Sequence, residues 1–512
     1  MDQSSVLGKI NVSIPEDAYW IGLSKQNMDF HQVLGELIDN SISASGVDEE
    51  GDLKPFKIEV LIQRIGDKIR LKVADEGTGI SLSDLLSKVL APGGRGSNLG
   101  PLNEHGFGLK NALCVLTGNR LPWKIQTRDQ DAVDKGLYYL VKGPFRRDMQ
   151  VVKDDPSNWN TNLVHVRGER GTRVYAETNY YLFNTLYRRA REFSSLIKRL
   201  MEHLGVMYRG FLENTANKLW LRWQDQGNDV ENPNTSASWQ EERVRPIEIP
   251  YDVSGSKRIP IEISHNGVKT TVIYEFGLLD RQITDDSSLG PAYPLRIYYR
   301  GNIPTQGIDI RVRGRVIRMS LLPEIWPDIP RHNDFNKFVG ELILDENFET
   351  VNNKTGIDPH NPFWEKLMEI MNAPDFPHKP QRITRIQTEK NIKEKLKIHL
   401  EGFVTGSSVT LDYPVWSGTG VKIDILHEKP NGEIDIYEVK AGTAAPIDVY
   451  QLVMYWDGLV NDGKNPSLGR LVAKSIPNSV KNIIDSLNKR KDANGNTYHF
   501  EGKTITELGI SV

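Results

Sequence analysis

Four short pieces of sequence, in fixed order through the first third of the chain, constrain the fold more than any bulk property. They are Glu36-Leu-Ile-Asp39-Asn40, Asp75-Glu-Gly77-Thr-Gly79, the glycine-rich stretch Pro92 to Gly108 that closes on Gly106-Phe107-Gly108-Leu109-Lys110, and Gly171-Thr172. The first lies in a helical pattern from Phe30 to Ala44, with Val33, Leu34, Leu37, Ile38 and Ile42 at helical spacing. Glu36 and Asn40 are four apart and project from one side of that helix. A carboxylate and an amide oxygen placed together can orient a water and hold a hard cation such as Mg²⁺. Asp75 follows two strand-like runs, Phe56 to Ile62 and Lys68 to Ala74, joined by a turn at Gly66-Asp67. The glycines after it let the backbone approach a flat ligand, and its carboxylate can accept a hydrogen bond from an exocyclic amine, which selects adenine. Gly106 to Lys110 opens a helix whose free N–H groups and dipole suit phosphate, with Lys110 as a point charge. Tyr138 to Lys142, Leu163 to Val166 and Thr172 to Tyr175 read as further strands, and Tyr180 to Leu204 as a long helix.

These pieces resemble the GHKL (Bergerat-fold) ATPase superfamily, which includes the ATPase component of gyrase, the mismatch-repair protein MutL, sensor histidine kinases and MORC ATPases. The lysine in Gly-Phe-Gly-Leu-Lys110-Asn-Ala is most similar to the MORC type. The resemblance covers residues 15–205 and implies ATP and Mg²⁺ as cofactors. It implies Glu36 as general base, Asn40 as Mg²⁺ ligand, Asp75 as adenine reader and Thr172 as a helper at the adenine, often through water. Gly77, Gly79, Gly106, Phe107, Gly108, Leu109 and Lys110 would line the nucleotide, under a lid formed by the loop from Gly93 to Gly108. It also implies a homodimer that forms through the N-terminal segment when ATP binds. A histidine kinase needs a phospho-acceptor helix well upstream, and only thirty-five residues precede Glu36. The acidic cleavage domain and tyrosine domain of gyrase-like topoisomerases do not follow.

The middle of the chain reads as a β-rich αβ domain. Its strand-like runs are Ile247 to Ile249, Lys269 to Glu275, Leu295 to Tyr299, Ile308 to Arg313, Val316 to Met319 and Phe338 to Leu344, with a helix from Phe363 to Met371. Arg311, Arg313, Arg315 and Arg318 form a basic run, read either as a solvated strand face or as a phosphate-backbone contact. This region resembles the transducer domain that follows the ATPase in MutL, gyrase and MORC proteins. The resemblance implies that Lys354, in Asn352-Asn353-Lys354, reaches back to the γ-phosphate.

A proline-bearing linker, Asn372 to Lys379, leads to a second constellation. Glu389, Ile392, Leu396 and Leu400 share one face of a helix from Thr384 to Leu400. Val421 to Leu426 and Glu433 to Lys440 read as strands joined by a turn at Asn431-Gly432. Ile434, Ile436, Glu438 and Lys440 share a face by period two, and charges on an apolar face are costly unless paired or metal-bound. Asp424 and Glu438 can hold Mg²⁺ against a scissile phosphate, while Lys440 orients or activates the attacking water and offsets developing charge. Gln451 and Tyr455 share a face of the next helix. The assembly resembles the PD-(D/E)XK restriction-endonuclease-like superfamily over residues 383–500. That implies Glu389 as the leading-helix acid, with Glu394 as rival. It also implies Gln451 and Tyr455 as the pair that the RecB-type branch uses near metal and substrate.

The expected fold is an α+β multidomain chain: a Bergerat-fold ATPase sandwich over 1–210, an αβ transducer-like domain over 211–379 and a restriction-endonuclease-like α/β domain over 380–512. The net charge of −3, from 64 Lys+Arg against 67 Asp+Glu, excludes a strongly basic whole-molecule footprint and leaves room for a local basic groove. From Gln381 onward 17 basic residues face 16 acidic ones, so DNA as substrate rests on the resemblance, with RNA left open. The lone Cys114 excludes a disulfide framework and a cysteine-built zinc site and points to the cytoplasm. No apolar run reaches the ~18–20 residues of a membrane helix. The expected activity is an ATP-gated, Mg²⁺-dependent nuclease, a dimer with an activator or partner subunit, placed in antiviral defence by its architecture. Its competitors are an ATP-dependent DNA clamp or compaction protein with a non-cleaving nuclease-like domain, and a chaperone-like ATPase acting on protein.

Overall fold

The computed structural model describes residues 16–91, 93–94, 102, 104–187, 192–227, 229, 231, 233–280, 297–380 and 385–510. The chain divides into two compact units, Met1–Pro380 and Gln381–Val512. The expected lid tip and the N-terminal dimerisation segment lie outside the described residues.

In the first unit, β1 (Lys57–Ile65) and β2 (Lys68–Asp75) form the expected hairpin, with Ile65 opposite Lys68. They join β3 (Trp123–Arg128), β4 (Tyr138–Lys142), β5 (Val151–Asp154), β6 (Gly171–Asn179), β7 (Lys218–Asp225) and β8 (Gln240–Arg243) in one sheet, ordered β5-β4-β3-β6-β2-β1-β7-β8. Only β1 and β7 pair in parallel. Period-two alternation gives this sheet two unlike faces. Ile58, Val60, Ile62, Ile69, Leu71, Val73 and Ile125 enter the core, where they meet Leu34, Leu37 and Ile38 of the helix Phe30–Ser43. Leu113 and Leu116 of the helix Gly108–Thr117, and Leu196, Leu200 and Leu204 of the helix Phe193–Met207, complete that layer.

Two expectations fail here for physical reasons. Leu163 to Val166 is not a strand, because the N–H groups of Val164, His165 and Val166 donate to the buried Glu59 carboxylate (2.7–3.2 Å) instead of a ladder. The long helix from Tyr180 is interrupted. A turn of helix at Tyr180–Phe183 passes into a 3₁₀ turn at Asn184–Leu186, Tyr187 is extended, and a new helix starts at Phe193. The break has a use: Thr185 Oγ1 accepts from the Phe30 N–H at 2.9 Å, at the start of the helix that carries Glu36.

The unit's second sheet contains β9 (Tyr251–His265), β10 (Val268–Leu279), β11 (Gly307–Val312), β12 (Arg315–Leu321) and β13 (Phe338–Leu344), ordered β12-β11-β13-β10-β9. The helix Pro362–Asn372 covers it, with Phe363, Leu367 and Met371 packed among Ile263, Tyr274, Trp326 and Leu342. Ile247 and Ile249 are buried on either side of an exposed Glu248, but the run forms no strand. In the Leu295 to Tyr299 run, residues 295–296 lie outside the described residues, and the rest is not a strand: Ile297 and Tyr298 donate their N–H groups to Glu202 Oε1 at 2.6 and 3.0 Å. The phosphate-contact reading is also corrected for three of the four arginines of the run, Arg318 alone among them being exposed. Arg311 pairs with Glu341 at 3.1 Å, Arg313 with Glu104 at 2.8 Å and Arg315 with Asp39, and all three are largely buried. Arg209, at the expected border between the two domains, is itself buried among Tyr299, Asp309 and Glu341.

The second unit is a sheet in chain order: β14 (Ser408–Pro414), β15 (Lys422–Glu428), β16 (Ile434–Thr443), β17 (Leu468–Ser475) and β18 (Phe500–Thr504). The first three strands form an antiparallel meander, and the last three are parallel. The helix Arg385–Phe403 packs Ile392, Leu396 and Leu400 against Ile425, Tyr437, Val439 and Val472. The helix Pro446–Asn461 packs Val449, Leu452 and Trp456 against Ile423, Ile436 and Leu471. Among the described residues no helix is long and apolar enough to cross a membrane.

Candidate functional site

A cavity of about 850 Å³, counting its open mouth, lies between the helix Phe30–Ser43, the end of β2 and the helix Gly108–Thr117. Asn40, Asp75, Gly79, Gly106, Gly108, Leu109, Lys110 and Thr172 all line it. Asn40 donates its amide to the Glu36 carbonyl at 2.7 Å, which leaves the amide oxygen to act as a ligand. The Asp75 carboxylate is fixed by three donors: Ser41 Oγ at 3.1 Å, the Gly77 N–H at 2.9 Å and the Thr172 N–H at 3.0 Å. Burial raises its pKa, against the pull of Arg173 and these hydrogen bonds. The Thr172 hydroxyl lies 3.1 Å from that of Thr127. Phe107 immediately precedes the helix that Gly108 opens. Glycines make the closest approaches here. Gly79 has φ +74°, and a Cβ there would fall 2.0 Å from the Arg128 carbonyl. A Cβ on Gly108 would fall 2.3 Å from Glu36 Oε2. Lys110 is buried and donates to the carbonyls of Val89 (2.8 Å) and Gly94 (3.0 Å), so its ammonium ties down the start of the glycine-rich loop. Burial pulls its pKa down to about 8.

Glu36 is 1% exposed, and neither carboxylate oxygen has a hydrogen-bond partner. Two cations from the second sheet's side of the unit stand close by. Arg315 Nη1 is 3.6 Å from Oε1, and Lys354 Nζ is 3.6 Å from Oε2. Both are held by Asp39, which accepts from Lys354 at 2.7 Å, from Arg315, and from the Tyr208 hydroxyl at 2.9 Å. Lys354 also donates to the Leu102 carbonyl at 2.6 Å. Nearby, Glu104 accepts from the Thr350 N–H and hydroxyl (3.2 and 2.7 Å), and the His105 ring meets the Thr350 carbonyl at 2.8 Å. The end of the glycine-rich stretch and the loop carrying Lys354 are therefore tied together. Asp39, Arg315, Tyr208 and Glu104 belong to this site without being among the expected residues. Asp39 had a signal, as a third polar group beside Glu36 and Asn40. Arg315 had none, being 276 positions from its partner.

The second unit gathers most of its expected residues around β16. Glu438 is 1% exposed; one carboxylate oxygen pairs with Lys440, and the other has no hydrogen-bond partner. Burial, then the nearby Asp424, push its pKa up to about 7, against Lys440 and Tyr455. Asp424 accepts from the Val439 N–H at 2.8 Å and from Lys393 at 3.2 Å. Glu389 accepts from the Ala441 N–H at 3.4 Å, whereas Glu394 is exposed beside Lys390. Tyr455 is buried, and burial together with Glu438 raises its pKa. Gln451, one turn earlier, is half-buried. Two further residues join the centre: Asp448, 3.8 Å from Lys440, and Lys393, which also reaches Asp412 at 2.6 Å. Among the described residues no group of three or more His, Cys, Asp or Glu side chains could hold a metal ion.

The pocket of the first unit, with a buried glutamate facing a glycine-opened helix, is built largely from a segment that resembles GHKL-type ATP-hydrolysing domains. Residues 25–136 match the family described as histidine kinase-, DNA gyrase B-, and HSP90-like ATPase. Among solved structures, the chain is similar to the crystal structure of the N terminal domain of a DNA repair protein, at 16% identity and a TM-score of 0.38, over 70% of this chain and 97% of that one. No curated protein matches.

Proposed function

We propose that the chain is an ATP-gated, Mg²⁺-dependent nuclease, in which ATP binding and dimerisation of the first unit control phosphodiester hydrolysis by the second. One observation carries the reading: each unit holds a buried glutamate, Glu36 or Glu438, at a polar centre, with carboxylate oxygen that makes no close hydrogen bond and meets only longer-range cations or a hydroxyl. Such oxygens are costly in a finished core and are expected where a ligand completes the site.

In the first unit, Glu36 orients the attacking water and takes its proton. Asn40 is the residue that would hold Mg²⁺, and Asp75 accepts from the adenine amine with Thr172 beside it. Lys354 distinguishes nucleotides. It now sits on Asp39, and a γ-phosphate competes for it where ADP cannot, which gives the two states different contact energies. In the second unit, Asp424 and Glu438 would hold Mg²⁺, with remaining ligands from water and the scissile phosphate. The ion when bound supplies Lewis-acid polarisation of that phosphate. Lys440 orients the water and offsets developing charge, Glu389 and Tyr455 fix the centre from either side of β16, and Gln451 contacts substrate.

A second reading has one observation behind it. Lys393 and Lys440 neutralise Asp424 and Glu438, as they would in a non-cleaving domain of an ATP-driven DNA clamp. Plasmid DNA, linear DNA and RNA incubated with Mg²⁺, with and without ATP, separate the two. Cleavage that needs ATP and is lost in Lys440→Ala supports the nuclease. ATP-dependent retention of DNA without cleavage overturns it in favour of the clamp.

A further inference from the structure

The face of the eight-stranded sheet turned away from the ATP pocket carries its own chemistry. Lys142 of β4 lies opposite Lys124 of β3, Lys124 opposite Tyr175 of β6, and Tyr175 opposite Lys72 of β2. The four form one row across adjacent strands, about 14 Å long at the usual strand spacing. The Lys124 ammonium lies 5.3 Å from the centre of the Tyr175 ring. Lys72 donates to the Thr161 carbonyl at 2.9 Å, and burial, then Lys124 and Arg173, pull its pKa down to about 8. The row floors a broad hollow that also takes in Arg70 and Trp239. At Thr161 this hollow runs into a second one, lined by Arg128, Trp159 and Arg167.

The acids of this face are already engaged. Asp154 accepts from the Tyr138 hydroxyl at 2.8 Å, Glu177 pairs with Arg70 at 3.0 Å, and Glu59 pairs with Arg222 at 3.0 Å besides its three amides. Asp154 acts on Lys142 only at longer range. Crowded ammonium groups without carboxylate partners, in a chain of net charge −3, mark a place where negative charge is supplied from outside. An aromatic ring between them adds a surface on which a base can stack, and an open sheet face admits a flexible strand whose bases are free to reach it.

We propose that this face binds single-stranded nucleic acid, with backbone phosphates on Lys142, Lys124 and Lys72 and a base against Tyr175. The site is separate from the ATP pocket and stands whether or not the second unit cuts. The test is fluorescence anisotropy of a labelled oligo-dT with the full chain in EDTA, so that nothing is cleaved, across a range of salt. The Lys124→Ala/Lys142→Ala double variant is expected to bind at least about tenfold more weakly, with the log–log salt slope smaller by about 1.4, the share of two phosphate contacts on a single strand. Tyr175→Leu is expected to lose about fivefold or more with the slope unchanged. Basal ATP turnover, retained in these variants, reports that they are folded. Lys440→Ala, which tests the nuclease reading, leaves this binding in place. Failure of the wild type to bind the oligonucleotide, or equal binding and slope in the double variant, overturns the proposal. So does a duplex bound as tightly with the same lysine dependence, or lysine-dependent binding to phosphatidylglycerol vesicles with none to the oligonucleotide.

Discussion

Glu36 and Glu438 are the same side chain in nearly the same state of burial, yet they are completed differently. Glu438 has its cation two residues away on its own strand, in Lys440, and its partner acid on the adjacent strand. That centre is assembled by one hairpin and its flanking helices. Glu36 faces cations from Arg315 and Lys354, roughly three hundred residues along the chain, and both reach it by way of Asp39. A site built from neighbours is complete once its hairpin forms. A site whose charges arrive from another sheet can be opened and closed by moving that sheet's loop. The first arrangement suits a preformed centre whose use is governed from outside it, the second suits a switch.

The largest effect that tests this contrast is at Glu36. Glu36→Ala is expected to lower ATP turnover by about 10²- to 10⁴-fold while nucleotide binding, followed with a fluorescent analogue, is kept; turnover within a few-fold of wild type would remove Glu36 from the general-base role. Lys440→Ala is expected to lower cleavage of plasmid by about 10²-fold or more with ATP turnover intact, and unchanged cleavage would return Lys440 to a purely structural ion pair. Lys354→Met should narrow the preference for ATP over ADP by about fivefold or more, measured as the ratio of the two affinities. An unchanged ratio would mean that the switch lies elsewhere.

The smallest effect is on stability. Glu438 holds a proton up to about pH 7 in the folded state, against an ordinary value of 4.5. Between those values the native state binds the proton more tightly than the unfolded chain. Metal-free protein should therefore lose stability as pH rises through that window, by at most about 3 kcal/mol above it. Glu438→Gln should flatten the difference in melting temperature between pH 5 and pH 8, and Mg²⁺ at pH 8 should restore wild type but not the variant. Parallel pH profiles for the two proteins would refute the assignment.

What the sequence disclosed follows from how local each interaction is. The helix Phe30–Ser43, the β1–β2 hairpin and the β15–β16 hairpin are written in periodicity and turn residues within a short window, and so are the expected residues they carry. Leu163 to Val166 and Ile297-Tyr298 have strand-like composition, but their N–H groups go to Glu59 and Glu202, acids distant in sequence that no window contains. Where the helix expected from Tyr180 breaks, Thr185 serves another helix's first turn, a partner no local window contains. Arg315 reads as one of four surface arginines until the fold brings it to Asp39. Lys354 was reachable only through the resemblance, since a lysine in a polar turn carries no local mark.

Lys354 also sits at φ +50°, a backbone region that costs a residue with a side chain about 1 kcal/mol and a glycine almost nothing. Lys354→Gly would relieve that cost but would also strip a buried ammonium from Asp39 and the Leu102 carbonyl, leaving Glu36 and Asp39 to share Arg315, a loss of about 3 kcal/mol or more that outweighs the relief. The ion pair therefore holds the turn as well as the charge: whatever draws Lys354 off Asp39 leaves a strained backbone with less to keep it in place.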